Sequence, residues 1–314
     1  MRSTLLIAVL SMLGCTLLVA GTTLLAKMMG TGALGQTIHP LMVSMARFVF
    51  GFAGVALVLG LRKASGRAAW VEAPGTRAPH WAFHALRTLL GWSGGGLMFA
   101  ASAQLPLADA NALSFTSPVA TMFFAMILLG EKVGPWRWAA AVIAMLGALV
   151  LLRPGAGVIQ PAALLALASA VCMGLEAIVI KRLATTEPPG RTMLINNGMG
   201  AVLAAVVGTF FFTWPQNGAV WTALIAMGLV MVTAQILLLT ANRLADASFV
   251  APFFYLTLVW AAFYDIAVFD LWPDAVSITG AVVVMAGGLL MTWREVVNGR
   301  RRLVEISQPA PALR

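Results

Sequence analysis

The chain has 314 residues, of which 61% are hydrophobic and only 10% are charged, and its formal net charge is +9 at pH 7. Soluble globular proteins carry about 25% charged residues, so this composition excludes an ordinary soluble protein. The positive charge is distributed between apolar runs rather than gathered on one basic segment, which excludes a nucleic-acid-binding protein.

Ten apolar runs follow one another along the chain. A hydrocarbon core of about 30 Å requires about 20 apolar residues in a helix, and these runs are close to that length. Lipid cannot hydrogen-bond the backbone, so runs without strand alternation are predicted to be helices rather than barrel strands. The predicted fold class is an all-α membrane protein with ten transmembrane helices. The runs are residues 5–26, 38–61, 80–103, 107–129, 135–153, 160–181, 192–213, 219–241, 246–268 and 275–293.

The first run follows Arg2 and contains Cys15, so it resembles a signal peptide with a lipoprotein cleavage site as well as a membrane helix. The apolar stretch TLLVAGTTLLA continues beyond Cys15 to about the length of a membrane helix. We therefore expect the run to be retained as the first helix. Cys172 also lies inside an apolar run, so neither a disulfide framework nor a zinc site is indicated.

Three charged residues lie five or more residues from either end of an apolar run: Arg47 in the second, Arg87 in the third and Glu176 in the sixth. A charge in the hydrocarbon core costs from about 3 to more than 10 kcal/mol, so such residues face a cavity or a partner. Arg87 and Glu176 are predicted to lie at one depth, as an ion pair or separated by the substrate. The alternative is a structural bridge, or side chains that extend to the headgroups. All three are candidate substrate-binding residues.

The third run also contains aromatic, histidine and glycine residues. Trp92 is a candidate substrate-binding residue or a packing residue. His80 and His84 have the spacing of metal ligands, but no third ligand is evident, so a position at the membrane interface is expected instead. The GxxxG motif from Gly91 to Gly95 predicts close helix packing, with hinge or cavity roles as the alternative.

The motif Leu-Ala-Asp-Ala occurs at residues 107–110 and again at 244–247, an offset of 137 residues and close to half the chain. Each copy precedes an apolar run and an acidic residue, Glu131 or Asp270. With five predicted helices in each half, the second half enters the membrane from the opposite side, which predicts an inverted repeat. Asp109 and Asp246 are predicted to cap the fourth and ninth helices, with gating as the alternative.

Residues 108–155 resemble the end of an EamA domain of the drug/metabolite transporter superfamily. In that family a helix with a Ser-Pro step ends in Gly-Glu and a Gly-rich helix follows, and Ser117-Pro118 and Gly130-Glu131 match this pattern. The second copy departs from it, because Phe269-Asp270 stands in place of Gly-Glu. The predicted domains are a first EamA repeat, a second EamA repeat and a basic, disordered cytoplasmic tail, at residues 1–155, 156–298 and 299–314.

The resemblance implies a transporter that moves amino-acid-like, nucleoside-like or vitamin-like metabolites, or drugs, across the bacterial inner membrane. The first half is similar to the branch that contains S-adenosylmethionine and riboflavin transporters. The family pattern covers nearly the whole chain, but it does not identify the substrate.

Further polar residues inside the apolar runs are candidate substrate-binding residues, because amides and hydroxyls can orient a polar metabolite in an apolar pocket. Each could equally hydrogen-bond a neighbouring helix, which contributes about 0.6 kcal/mol on average. Pro118 and Pro252 are predicted to interrupt helices at corresponding positions, as part of a central site or as simple kinks. The candidates are Asn111, Ser114, Asn197, Gln235 and Tyr255.

Basic residues are concentrated on one side of the predicted topology. With the N-terminus in the cytoplasm, sixteen Lys and Arg residues are cytoplasmic and only Lys27 and Arg153 lie on the other side. This bias predicts that both termini are cytoplasmic. The basic residues 300–302 are expected to meet anionic headgroups.

Together these features predict a secondary transporter of a small organic metabolite, working by alternating access around a cavity midway through the membrane. No P-loop motif occurs, and no cofactor, metal or catalytic residue is expected. The alternatives are an intramembrane enzyme, although Asp265 has no partner evident in the sequence, and a non-transporting interaction protein. Expected partners are the substrate and the lipid bilayer. The sequence is consistent with proton coupling through Glu176 and with uncoupled exchange. It is also consistent with a monomer and with a homodimer.

Overall fold

The computed structural model describes residues 2–65, 79–130, 134–152, 160–184, 186–244 and 251–307. These residues form eleven α-helices and one 3-10 helix, Ala251–Tyr255. The α-helices are α1 (Arg2–Gly30), α2 (Pro40–Ala64), α3 (Trp81–Ser102), α4 (Leu107–Ser114), α5 (Ser117–Leu129), α6 (Pro135–Leu152), α7 (Pro161–Ala184), α8 (Pro189–Phe211), α9 (Gly218–Leu244), α10 (Leu256–Phe269) and α11 (Ala275–Ser307).

The prediction of an all-α membrane protein is confirmed. Five segments are long and apolar enough to cross a membrane, and one of them, Leu107–Leu128, combines α4 with α5. Three shorter apolar segments lie in α6, α10 and α11. The helices α3 and α8 have 22 and 23 residues but are more polar, because they carry residues such as Arg87 and Asn196. Counting α4 with α5 as one span gives the ten predicted spans.

Two spans are interrupted where the sequence predicts it. The helix α4 ends at Ser114, and α5 begins at Ser117 with a proline in its first turn. Pro118 has no N–H to donate to the carbonyl of Ser114, so a continuous α-helix cannot form there. In the second half the 3-10 helix that contains Pro252 precedes α10. That the two halves are an inverted repeat stays a prediction.

Two local predictions are wrong. The residue before α4 is Pro106, which makes no side-chain cap; Asp109 lies inside the first turn and accepts a hydrogen bond from the Ser277 hydroxyl at 3.0 Å. The helix α11 continues to Ser307, so the tail expected to be disordered from residue 299 is helical that far, since no proline interrupts it. Residues 308–314, Glu131, Arg153 and Asp246 lie outside the described residues.

The two predicted halves are interleaved rather than set side by side. The helix α1 packs on α9 and α10, α2 packs on α8 and α9, and α3 packs on α7 and α8. The helix α6 packs on α11, where glycines allow the backbones to touch. A Cβ on Gly147 would lie 2.6 Å from the Val284 nitrogen, and one on Gly287 would lie 2.6 Å from the Ala144 nitrogen. Small residues at such contacts are typical of helices that associate in lipid.

Candidate functional site

Three charged side chains from three helices lie together, and we call them the arginine cluster: Arg47 of α2, Arg87 of α3 and Glu176 of α7. The Arg87 Nε lies 3.7 Å from the Glu176 Oε1, with side-chain exposures of 11% and 19%. The prediction that these two residues share a depth and form an ion pair is confirmed. The charges that act on Arg47 are those of Glu176 and Arg87.

The pairing inside the arginine cluster is loose. A separation of 3.7 Å is an ion pair but too long for a hydrogen bond. Arg87 donates from Nη1 to the Thr192 carbonyl of α8 at 3.1 Å, while its buried Nε has no hydrogen-bond acceptor in the described chain. The Arg47 guanidinium carbon lies 5.1 Å from the centre of the Phe48 ring. The cluster therefore keeps hydrogen-bonding capacity that the described protein does not use.

Two glycines of α3 provide the space for these side chains. A Cβ on Gly91 would lie 3.0 Å from the Glu176 Oε1, and a Cβ on Gly95 would lie 2.6 Å from the Arg47 Nη1. Residues four apart share one helix face, so Arg87, Gly91 and Gly95 form a single stripe. The expectation that this GxxxG motif packs on another helix backbone is wrong at these two positions. Its small residues accommodate charged side chains instead.

Trp92 is buried beside this stripe. Its carbonyl accepts a hydrogen bond from the Ser44 hydroxyl of α2 at 3.3 Å. Its indole N–H is buried and has no acceptor among the described residues. An indole N–H that is buried usually has a partner. The third span therefore carries two buried donors without an acceptor in the described chain, the Arg87 Nε–H and the Trp92 indole N–H.

Asn111 and Ser114 are bonded within the fourth span. The Asn111 amide donates to the Leu107 carbonyl at 2.7 Å and to the Thr23 hydroxyl at 3.4 Å. The Ser114 hydroxyl donates to the Asn111 carbonyl at 2.7 Å. No hydrogen bond in the described structure joins either residue to the arginine cluster. Their side chains hold α4 and tie it to α1.

The other predicted residues are also spread over separate helices. The Asn197 amide donates to the Met193 carbonyl at 2.9 Å. The Tyr255 ring stacks on Phe115, with ring centres 4.9 Å apart, at the breaks in the two interrupted spans. Gln235 is half-buried in α9, and its amide makes no hydrogen bond within the described chain. Substrate binding by these residues stays a prediction.

Sequence reasoning missed a buried ion pair, which we call the lysine pair. The Lys27 Nζ of α1 donates to the Asp265 Oδ1 of α10 at 2.7 Å, and the side chains are 6% and 3% exposed. The other oxygen, Oδ2, accepts the Ala108 backbone N–H of α4 at 3.1 Å. Asp265, which has no partner evident in the sequence, is therefore paired with Lys27. In the predicted topology Lys27 follows the first run and Asp265 lies near the end of the ninth, on the same side of the membrane, a signal that could have paired them.

A second missed contact lies at the opposite end of the bundle. The His84 Nε2 of α3 is 2.9 Å from the Glu187 Oε2, and both side chains are fully buried. The Glu187 Oε1 accepts the His80 backbone N–H at 3.0 Å. Burial raises the pKa of Glu187, but the hydrogen bonds from His80 and His84 and the charge of Arg191 outweigh it, so the pKa lies below its usual value. The described residues contain no cluster of three or more metal-ligating side chains.

Comparison with known proteins identifies related membrane transporters. The model of the EamA-like transporter family matches residues 6–153 and 160–293. A riboflavin transporter from Rhizobium johnstonii is 30% identical over 69% of this chain and 72% of its own length. An S-adenosylmethionine uptake transporter from Rickettsia prowazekii is 25% identical over 60% of this chain and 64% of its own length.

Two further matches extend this comparison. A pseudopaline exporter from Pseudomonas aeruginosa is 26% identical over 62% of this chain and 69% of its own length. A solved crystal structure aligns with a TM-score of 0.58 and 21% identity over 94% of this chain and 99% of that chain, which shows a shared fold. The names of these relatives include both uptake and export, and they cover chemically different solutes.

Proposed function

The chain belongs to the EamA-like transporter family, and we propose that it moves a small organic metabolite across the bacterial inner membrane by alternating access. It is a multi-pass membrane transporter rather than an enzyme. Its relatives are named as transporters of riboflavin and of S-adenosylmethionine. The direction of transport differs among the named relatives, so the family does not fix it. The proposed topology, with both termini in the cytoplasm, is supported by the distribution of basic residues.

The proposed substrate site is the arginine cluster. The observation that carries the proposal is that Arg47, Arg87 and Glu176 come from three spanning helices and meet where Gly91 and Gly95 leave space. A charge inside a membrane span is expensive, and such residues mark the path of a substrate or ion. Trp92, with its unused N–H, is proposed as part of the same site.

Alternating access requires that each end of the bundle opens in turn, and each end has a buried contact between the two halves. The lysine pair joins α1 to α10 near the ends of both helices. The His84–Glu187 contact joins the start of α3 to the loop after α7. In the proposed topology the lysine pair is periplasmic and the His84–Glu187 contact is cytoplasmic. We propose that one contact separates while the other stays closed.

A flux measurement tests the proposal. Purified protein is reconstituted in liposomes, and entry of riboflavin, S-adenosylmethionine, amino acids and nucleosides is measured by mass spectrometry. Entry of at least one solute is expected with the wild type and is expected to fall at least tenfold with Arg87→Gln, because a lost charged hydrogen bond costs about 1.5–3 kcal/mol. Comparable flux in empty liposomes contradicts transport by this protein. Comparable flux in Arg87→Gln and wild type contradicts the proposed site.

The same preparation decides the coupling mode. Flux driven by a pH gradient and lost in Glu176→Gln would assign proton coupling to Glu176, whereas flux indifferent to the gradient would assign uncoupled exchange. Sizing of the protein in detergent separates a monomer from a homodimer.

A further inference from the structure

The arginine cluster carries more positive than negative charge. Arg47 and Arg87 act on the single carboxylate of Glu176, so the three side chains sum to +1 when all are ionised. Among the described residues, the charges that act on Glu176 are those two arginines, and no second carboxylate acts on Arg47. An uncompensated charge inside a membrane span is costly, and a bound ligand of opposite charge removes that cost.

The guanidinium groups also have unused donors. Each guanidinium has five N–H donors in a planar fork. In the described chain Arg87 uses Nη1 on the Thr192 carbonyl, and its Nε has no acceptor. Arg47 makes no hydrogen bond within the described part of the chain, and its guanidinium carbon lies 5.1 Å from the centre of the Phe48 ring. An anionic group with two or more oxygens matches this forked arrangement.

The position of the Glu176 carboxylate shows where such an anion fits. The space left by the missing side chain of Gly91 holds this carboxylate, with both oxygens 3.0–3.3 Å from the place of a Cβ. One helical turn further, Gly95 leaves the space for the Arg47 Nη1. The carboxylate thus lies on the same stripe of α3 as both guanidinium groups, and both act on it electrostatically.

We infer that the transported metabolite carries an anionic group, a carboxylate or a phosphate, which binds Arg47 and Arg87 in the place that the Glu176 carboxylate occupies here. This inference rests on the proposed function. A carboxylate or another monovalent anion brings the charge of the cluster from +1 to zero, and a phosphate dianion brings it to −1, whereas a monovalent cation paired with Glu176 raises it to +2. Glu176 is the internal counter-ion that the substrate displaces.

The first test identifies which solutes enter. Proteoliposomes of zwitterionic phosphatidylcholine are incubated with the small-molecule fraction of a bacterial extract, and the internal solutes are identified by mass spectrometry. Each is then compared as a pure compound with a form whose carboxylate is amidated or whose phosphate is removed. The neutral form is expected to enter at least about tenfold more slowly, the equivalent of ~1.4 kcal/mol. Entry of neutral or cationic solutes alone overturns the inference.

The second test uses variants of the cluster. Arg47→Gln is expected to raise the KM for the anionic solute at least tenfold, and Arg47→Lys to recover part of that loss through its charge. Glu176→Gln is expected to lower this KM, because it removes the competing carboxylate. Thermal unfolding confirms that each variant is folded. Gly60→Ala serves as the matched reference, since a Cβ there meets no atom within 4 Å. An equal change in KM for the anionic and neutral forms in Arg47→Gln, or a rise in KM for the anionic form in Glu176→Gln, overturns the inference.

The outcomes separate this inference from the proposed function. If no solute enters, transport itself fails and the inference falls with it. If solutes enter without any dependence on an anionic group, transport stands and only the inference fails. A third arm adds anionic phosphatidylglycerol without solute. If this lipid raises the melting temperature of the wild type but not of Arg47→Gln, the anion is a lipid headgroup, and its assignment to a soluble metabolite is overturned.

Discussion

The lysine pair and the arginine cluster are both buried charge groups in a membrane protein, but they are built differently. Lys27 and Asp265 are one cation and one anion at 2.7 Å. The second oxygen of Asp265 accepts the Ala108 N–H, and Lys27 also lies 4.5 Å from the centre of the Phe269 ring. Every charge of the lysine pair has a partner. In the arginine cluster the closest pairing is 3.7 Å and one carboxylate serves two guanidinium groups.

The difference predicts that the two groups respond differently when a charge is removed. A neutral pair with its oxygens hydrogen-bonded can hold helices together in a low-dielectric interior, although an apolar replacement would hold them as well. A loosely paired group with excess charge contributes little to stability, and its unused donors are free for a ligand. Removing a charge should therefore cost mainly stability at the lysine pair and mainly transport at the arginine cluster.

The largest effect on stability is expected at the lysine pair. Asp265→Asn leaves Lys27 buried without a counter-charge, and breaking a buried pair on one side costs about 3–5 kcal/mol. Thermal and denaturant unfolding in detergent measure this loss. The double variant Lys27→Met with Asp265→Leu removes both charges and should recover most of it. Unchanged unfolding of Asp265→Asn would show that the pair does not hold α1 to α10.

A smaller loss of stability that depends on pH is expected at the other end. Glu187→Gln weakens the bonds from His84 and the His80 N–H, and bonds to a charged group contribute about 1.5–3 kcal/mol. Because the pKa of Glu187 is lowered on folding, its contribution is present above the unfolded pKa of about 4.3 and is lost as the pH falls through the folded value.

The measurement for Glu187 is the difference in unfolding free energy between wild type and Glu187→Gln as a function of pH. The groups that face Glu187 are His80, His84 and Arg191. The difference should be constant near neutral pH and should shrink below about pH 4.3. A difference that grows on acidification would have the wrong sign and would contradict the contact.

At the arginine cluster, Gly95→Ala should separate transport from stability. Its Cβ would lie 2.6 Å from the Arg47 Nη1, the mobile end of a long side chain, so the guanidinium must move. Uptake should fall, while the unfolding free energy should change by about 1 kcal/mol or less, since alanine itself favours a helix. Gly60→Ala, where no atom lies within 4 Å, is the matched control. Unchanged uptake in Gly95→Ala would remove Arg47 from the site.

The smallest effect is expected for Ser114→Ala. The Ser114 hydroxyl donates to the Asn111 carbonyl in its own helix, so the substitution removes only a local bond. Uptake and stability should both stay within about 0.5 kcal/mol of wild type. A large increase in KM would place Ser114 in the substrate path and show that a locally bonded side chain also contributes to transport.

The helices were predictable from the sequence because hydropathy over about 20 residues is a local property. The Arg87–Glu176 pair was predictable because depth in the membrane can be counted from the ends of a run. The role of Gly91 and Gly95 was not, since it depends on which helix faces that stripe. The lysine pair was missed because Lys27 falls one residue beyond the first apolar run, whereas Asp265 lies inside the ninth, so their depths were not compared.

The contact of Glu187 with His84 was also beyond sequence reasoning. Glu187 lies in a short loop, and the buried position of its side chain arises only when α3 and α8 come together. The cap expected at Asp109 failed for a related reason. The carboxylate that serves the first turn of α4 belongs to Asp265, 157 residues away in the chain.

The short helix α4 has a mechanical consequence. The Asp265 carboxylate accepts the Ala108 N–H in the first turn of α4 and also pairs with Lys27. One side chain therefore connects α1, α4 and α10. The far end of α4 is followed by the helix break before Pro118, where α5 begins. The helix α4 is thus held at its first turn and followed by a break at its last. We expect a displacement of α1 or α10 at the Lys27 end to move α4 relative to α5, because Asp265 connects all three helices while the break at Pro118 separates α4 from α5.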